Sequence, residues 1–392
     1  MIFMDPKWTE GNELEYLKQV LQNSSEVRKN PFTDRLEKAF AEKYGVKYAI
    51  ALNSGASCLH SALVAVDVKP GDEVITSPYS VLWDAGAVLI MGAKVVFADI
   101  KYNTHNIDPV EVEKKITKKT KAIIPISYHG LPCDIDELRK IGKKYNIPVI
   151  EDNAQTHLGK YKNRYVGTET DFAMFSLERT KHISCHEGGI LITGNEKYAT
   201  KARKFGGGGF KNLTADKSKL AAIIPSEFQS PDFKRHDALG LNYRISEFCA
   251  AVALAQFEKV DEKVKLRRDI AKIYKEVFSK LDNFEPQEEP PNYEHSYFSF
   301  CVKSPHKKLN EWKKFYKYNI ENGGDDFYAM MSTVYEEDVM KKHSSYNKWK
   351  KSCPITEQIQ PRCMLFKTNY RSLSEAEQRI RTLEKNLHNY KK

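Results

Sequence analysis

Between residues 47 and 193, short apolar runs alternate with stretches patterned like helices, and this alternation restricts the chain more than any other feature. The runs at 47–52 (KYAIAL), 73–77 (EVITS), 94–100 (KVVFADI), 121–127 (KAIIPIS) and 147–152 (IPVIED) read as strands. Helical segments are expected between them, after Gly55, Ser80, Asp108 and Asp134. Asp108 stands as an N-cap, with Pro109 at the first helical position. Repeated strand-helix order needs crossover connections, so it specifies an α/β fold with a mainly parallel central sheet flanked by helices.

At 392 residues the chain is longer than a single core sustains, roughly 250 to 300 residues, so a large domain and a smaller one are expected. Residues 1–258 read as an N-terminal segment and the large domain, and residues 259–392 as a linking helix and a small C-terminal α+β domain. Residues 245–281 carry one long helical pattern joining the two, 286–295 (PQEEPPNYEH) reads as a loop, and 296–304 as a strand. The stretch 204–220 holds four consecutive glycines followed by polar residues. With no strand before it and no GK[ST] after it, it reads as a mobile surface loop near the site mouth rather than a phosphate loop.

A hydrophobic share of 41% and a charged share of 29% are those of a folded globular protein. The net charge of +10 is spread over helix-like stretches that interleave acids with lysines, a solvated face with no nucleic-acid-binding signature. The seven cysteines are scattered without a CxxC pair, which fits free thiols in a reducing compartment. No stretch has the length of a membrane span and no secretory h-region is evident, so a cytoplasmic location is expected.

Two segments carry chemistry. Glu151 and Asp152 end an apolar strand, where open α/β sheets bind ligands, and Lys181 follows Asp152 by 29 positions, just after the apolar run FAMFSL. A strand-end carboxylate and a loop lysine are what pyridoxal phosphate requires, one for the pyridinium nitrogen and one for the Schiff base. At residues 51–63 a strand turns through Asn53, Ser54 and Gly55 into a helix, whose first amides, at Ala56 and Ser57, can hold a phosphate; a plain helix cap explains the same residues. His157, His182 and His186 lie nearby as hydrogen-bonding neighbours, and their spacing defines no metal set.

Taken together, NSGAS (53–57), KPGDEVITSPYS (69–80), GAKVVFADI (92–100), TKAIIPIS (120–127), EDNAQ (151–155), FSLERTKHISCHEGGILIT (175–193) and LNYRISEFCAAVALAQ (241–256) resemble the DegT-type sugar aminotransferases, fold-type-I pyridoxal-phosphate enzymes. The resemblance covers roughly residues 32–270 and is weaker beyond. It implies that Lys181 is the Schiff-base lysine, Asp152 the partner of the pyridine nitrogen and Gln155 a neighbour of the phenolic oxygen. Gly55, Ala56, Ser57 and Ser176 match the phosphate cradle. Asn242 matches an asparagine that reaches the phosphate from a neighbouring subunit, which implies a homodimer with shared sites. Three positions depart from the family pattern. Val81 replaces an aromatic ring over the cofactor, with Tyr79 and Trp83 close by. His186 replaces a glycine, and Ala56 a hydroxylic residue.

The reaction so implied moves an amino group, from glutamate, to a keto sugar that is most simply nucleotide-linked. A sugar dehydratase of the same fold is the near alternative, opposed by a lysine at 181 where that enzyme has histidine. A regulatory protein that keeps the fold without turnover is the distant one.

Overall fold

The computed structural model describes residues 11–22, 27, 30–216, 226, 229–305 and 308–390; the first ten residues and the end of the polar stretch, 217–220, lie outside these. Among the described residues up to Phe278 the helices include α1 (Glu13–Leu21), α2 (Phe32–Tyr44), α3 (Gly55–Ala65), α4 (Trp83–Ile90), α5 (Pro109–Lys115), α6 (Ile135–Tyr145), α7 (Glu196–Gly206), α8 (Glu247–Phe257) and α9 (Val260–Phe278). The large sheet holds β1 (Tyr48–Leu52), β2 (Glu73–Thr76), β3 (Lys94–Phe97), β4 (Thr120–Ile124), β5 (Ile150–Asp152), β6 (Phe172–Ser176) and β7 (Gly189–Thr193).

Strands β3, β2 and β4 pair in parallel. Parallel bridges from Ile123 to Val149 and from Ile126 to Asp152 carry the sheet on to β5, which is parallel to β6. The spatial order is therefore β3-β2-β4-β5-β6-β7-β1, with β7 antiparallel to both its neighbours. The mainly parallel reading holds, and the exception has a cause. Residues 177–188 join β6 to β7 without a helix, and a parallel return needs a longer crossover. The β4–β5 ladder thins to bridges because Pro125 and Pro148 lack the N–H a full ladder uses; their carbonyls still accept from Asp152 N and Ile123 N.

Strand alternation divides the core. Ile50, Leu52, Met174 and Leu191 pack on one face with Leu59 and Leu63 of α3. Ala49, Ala51, Phe175 and Ile190 pack on the other with Phe40 of α2 and Phe257 of α8. Asp108 caps α5 as its sequence implies, its Oδ1 accepting from Val110 N at 2.9 Å. Asp134 precedes α6 but gives no side-chain cap. It pairs instead with Lys101 at 2.7 Å and accepts from the Tyr293 hydroxyl.

The single helix expected over 245–281 is two, broken at Glu258 and Lys259. The halves have different partners: α8 is largely buried against α1 and α2, whereas α9 is amphipathic, its Val260 and Val264 staying with the large unit's core and its Ile270, Tyr274, Val277 and Phe278 packing into the smaller unit. Glu258 is held at the break by Asn12 and Tyr16. The smaller unit contains an antiparallel sheet in the order β8 (Glu285–Pro286), β9 (Ser299–Lys303), β11 (Cys363–Lys367), β10 (Tyr328–Ala329). Its separate core includes Tyr274, Phe300, Phe315, Phe327 and Phe366. Sequence patterning did not reveal that residues 334–356 return to the large sheet. Trp349 Nε1 donates to Val95 O at 3.0 Å, and Asp99 accepts from Ile355 N at 2.8 Å and Thr356 N at 2.9 Å.

The glycine run is packed rather than loose, which corrects the expectation of a mobile loop. Gly206 ends α7, and the following glycines lie directly against residues 238–243, with Gly207 bridged to Asn242. Gly209 has φ +77°, and a Cβ built there would lie 1.9 Å from Ala238 O. The run therefore permits close chain approach and takes no part in lining the cavity around Lys181. Gly209→Ala is expected to lose about 3 kcal/mol from the combined backbone strain and overpacking, read as a fall in the urea midpoint.

Candidate active site

Successive side chains of β5 leave on opposite faces. Glu151 turns away from the opening and is fully satisfied, accepting from Gly167 N at 3.0 Å, Thr170 Oγ1 at 2.7 Å and Asn153 Nδ2 at 3.2 Å. Asp152 turns into a cavity of ≈ 560 Å³ at the C-terminal ends of the parallel strands. Gly55, Ala56, Val81, Trp83, Tyr128, Gln155, Ser176 and Lys181 also line it. Of the residues singled out from sequence, it gathers Lys181, Asp152, Gly55, Ala56, Gln155 and Ser176; Ser57 and Asn242 are not in its wall.

Lys181 sits in the β6–β7 connection, a turn closed by Lys181 N donating to Glu178 O at 3.0 Å and by Leu177 N donating to Gly188 O at 2.9 Å. The smaller unit holds this turn from outside. Arg267 of α9 donates to Phe298 O and Thr368 Oγ1, each at 3.0 Å, and lies 3.5 Å from Lys181 O. The Lys181 ammonium rests 4.7 Å from the centre of the Phe298 ring. Burial lowers the lysine pKa, opposed by the charges of Glu178 and Asp152, and so enlarges the share of neutral, nucleophilic amine.

Burial raises the Asp152 pKa, while the Ala154 N–H at 2.8 Å, a hydrogen bond with Asp84 and the Lys181 charge all favour its ionised form. At the other end of the cavity, α3 begins at Gly55. The N–H groups of Gly55 and Ala56 are at helix positions that have no intrahelical acceptor and point out of the helix start. A Cβ on Gly55 would meet Met174 Cε at 3.2 Å and Ser176 Cβ at 3.4 Å, so glycine lets the helix start lie against the Ser176 hydroxyl. Ser57 belongs to the cap itself: its N–H donates to Ser54 Oγ at 3.1 Å, and its own hydroxyl donates to Ser54 O at 2.8 Å. Gln155 Oε1 accepts from His129 N at 2.8 Å. Asn242 is exposed and stands beside exposed Leu241.

Of the aromatic residues near position 81, Trp83 lines the cavity and Tyr79 does not. Tyr79 is buried, with its hydroxyl 3.2 Å from both His129 Nε2 and Cys363 Sγ. Among the described residues, His105, His129 and Cys301 lie close enough to share a metal. The Tyr79 hydroxyl stands among them, 3.5 Å from His105 Nδ1 and 4.0 Å from Cys301 Sγ, so the group packs as a hydrogen-bonded cluster between the two units. Tyr128, Ser127, Glu178 and Glu187 also line the cavity. No periodicity distinguishes them, and only the approach of separate loops places them there.

The three motif histidines take no place in the wall. His157 Nε2 donates to Ser176 O at 3.0 Å, His182 Nε2 donates to Ser296 O at 2.9 Å, and His186 is exposed with φ +76°. Burial holds His157 down to about 4 and His129 and His295 to about 3. An unfolded chain binds protons at these histidines near the ordinary value of about 6.5, so stability present above that pH is lost as pH falls towards the folded values. Denaturant midpoints should therefore drop steeply between about pH 6.5 and 4. At His186, relief of the left-handed backbone makes His186→Gly stabilising by about 1 kcal/mol, measured by the same titration at neutral pH.

The chain matches the DegT/DnrJ/EryC1/StrS aminotransferase family over residues 8–382. It is 33% identical to the GDP-perosamine synthase of Escherichia coli O157:H7 over 271 residues, which cover 69% of this chain and 70% of that protein. Among solved structures, the aminotransferase from Psychrobacter cryohalolentis superposes with a TM-score of 0.86 at 24% identity, covering 99% of each chain. The Bacillus subtilis protein ntda, with bound cofactor PMP, superposes with a TM-score of 0.79 at 22% identity, covering 97% of this chain and 82% of that one.

Proposed function

Because this chain belongs to the DegT/DnrJ/EryC1/StrS aminotransferase family, we propose that it is a pyridoxal-phosphate enzyme that transfers an amino group from glutamate to a nucleotide-linked keto sugar, for amino-sugar biosynthesis. The observation that carries the reading is the convergence of the Lys181 amine, the Asp152 carboxyl and the open start of α3 with Ser176 on one cavity. The residues fit the cofactor. The volume is within the range of cofactor sites, the free amides of Gly55 and Ala56 suit a phosphate, and a buried acid stands at the far wall. The match to a GDP-perosamine synthase supports a nucleotide-linked acceptor.

Pyridoxal phosphate, when bound, supplies the electron sink that acidifies a carbon–hydrogen bond of the donor. Lys181 would hold the cofactor covalently between turnovers. With the donor bound in its place, Lys181 Nζ would accept the proton from the donor α-carbon and pass it to the cofactor, and in the second half would carry a proton from the cofactor to the sugar carbon that receives nitrogen. Asp152 keeps the pyridine nitrogen protonated, and the α3 amides with Ser176 anchor the phosphate. Trp83 and Val81 also line the cavity.

The proposal includes a homodimer in which Asn242 reaches the partner's phosphate end. Its exposed position, with Leu239, Leu241 and Phe248 uncovered around it, supports this reading. It also includes a division of the chain at residues 258/259, supported by the break between α8 and α9 and by the separate aromatic core. Among the described residues no helix is long and apolar enough to cross a membrane, and the seven cysteines are free. We place the enzyme in the cytoplasm.

Borohydride reduction of the holoenzyme should leave the cofactor on the peptide containing Lys181, and glutamate should bleach the cofactor band before reduction. Lys181→Ala should lose the covalent label and at least about a thousandfold in turnover. A label on another lysine, or a band indifferent to glutamate, contradicts the assignment.

A further inference from the structure

Asp84 stands directly behind the cavity wall, in the first turn of α4, and is 1% exposed. Its Oδ2 accepts from Ser80 Oγ at 3.1 Å, while its Oδ1 is buried and receives no donor. The Asp84 carboxyl is in hydrogen-bond contact with the carboxyl of Asp152. Asp152 Oδ1 already accepts from Ala154 N. Two carboxylates in contact are both acceptors and repel, and the burial of both side chains weakens the screening by water. One proton held between them turns the clash into a donor and an acceptor.

We propose that Asp84 is a neutral carboxylic acid whose hydroxyl donates to Asp152, a positioning residue that keeps Asp152 as the ionised member facing the cofactor's pyridine nitrogen. The role rests on the cofactor site proposed above. The surroundings of the pair agree with this placement of the proton. Asp152 has the Lys181 charge and a backbone N–H in its favour, whereas Asp84 is raised well above the ordinary value by burial and by the charge of Asp152. The other titratable groups facing the pair are Tyr128, Cys58 and Cys133, all pushed up by burial and so uncharged. The pair then carries a single negative charge opposite Lys181. It acts as one unit in titration.

The test uses the full chain, first without cofactor. Infrared spectra at neutral pH should show a protonated carboxyl C=O band in the wild type that is missing in Asp84→Asn. Because the folded-state pKa of Asp84 is raised, the folded wild type holds a proton that the unfolded chain releases above about pH 4, so its stability relative to Asp84→Asn should fall as pH rises from there towards 7. A band that persists in Asp84→Asn, or stability curves that run parallel across this range, overturns the shared proton. Cofactor titrations by absorbance then test the role. Asp84→Asn, whose amide still donates, should bind pyridoxal phosphate nearly as the wild type does, and Asp84→Leu should bind it about tenfold more weakly. Equal affinity in Asp84→Leu overturns the positioning role. A wild type that takes up no cofactor at Lys181 while keeping the carboxyl band overturns the underlying site assignment, and the role with it.

Discussion

A carboxylate buried at the end of a central strand is the constraint around which this molecule is arranged. β5 lies deep in the sheet, with Glu151 wholly buried and Asp152 5% exposed, so each draws donors from the protein itself. For Glu151 they come from the segment around Gly167 and Thr170, and the outcome is structural. For Asp152 they come from one backbone amide, from Asp84 and from the field of Lys181. That set leaves part of the carboxyl facing an open cavity. Strand alternation alone decides which acid receives which fate.

Lys181 depends on a second arrangement. The connection between β6 and β7 has no helix, so β7 returns antiparallel and the turn between them stays at the cavity rim. A short turn of this kind would be soft if it faced solvent. Here α9 and the segment around Phe298 close over it, with Arg267 bridging carbonyls of both units. The smaller unit therefore acts on the chemistry by holding the lysine loop and contributes little to the cavity wall. Residues 334–356 reinforce this by returning to the large sheet at Val95 and Asp99, so the two cores are tied at several places.

The departures from the family pattern differ in physical consequence. Ala56 keeps its backbone amide at the first turn of α3, and a helix start receives an anion through such amides without a side chain. His186 costs backbone strain without entering the cavity. Of the two aromatic residues that flank Val81 at two positions' distance, Trp83 lines the cavity, whereas Tyr79 is committed to the cluster of His129 and Cys363. Asp84 attracts no notice in sequence, where an acid in the first turn of a helix reads as an ordinary dipole partner.

The amino-acid sequence by itself determined the α/β class, the strand order of events along the chain and the residues Lys181, Asp152, Gly55, Ala56, Gln155 and Ser176 that meet in the cavity. These follow from local rules: apolar periodicity, turn chemistry and a family's ordered motifs. Tertiary structure alone decided that Ser57 serves the helix cap, that Tyr79 turns away, that the glycine run is packed and that the helix over 245–281 breaks in two. Each of these depends on what a residue meets from a distant part of the chain, and no local pattern encodes that meeting. The contact between Asp84 and Asp152 is of the same kind: 68 positions separate two acids whose proximity makes them one titrating group.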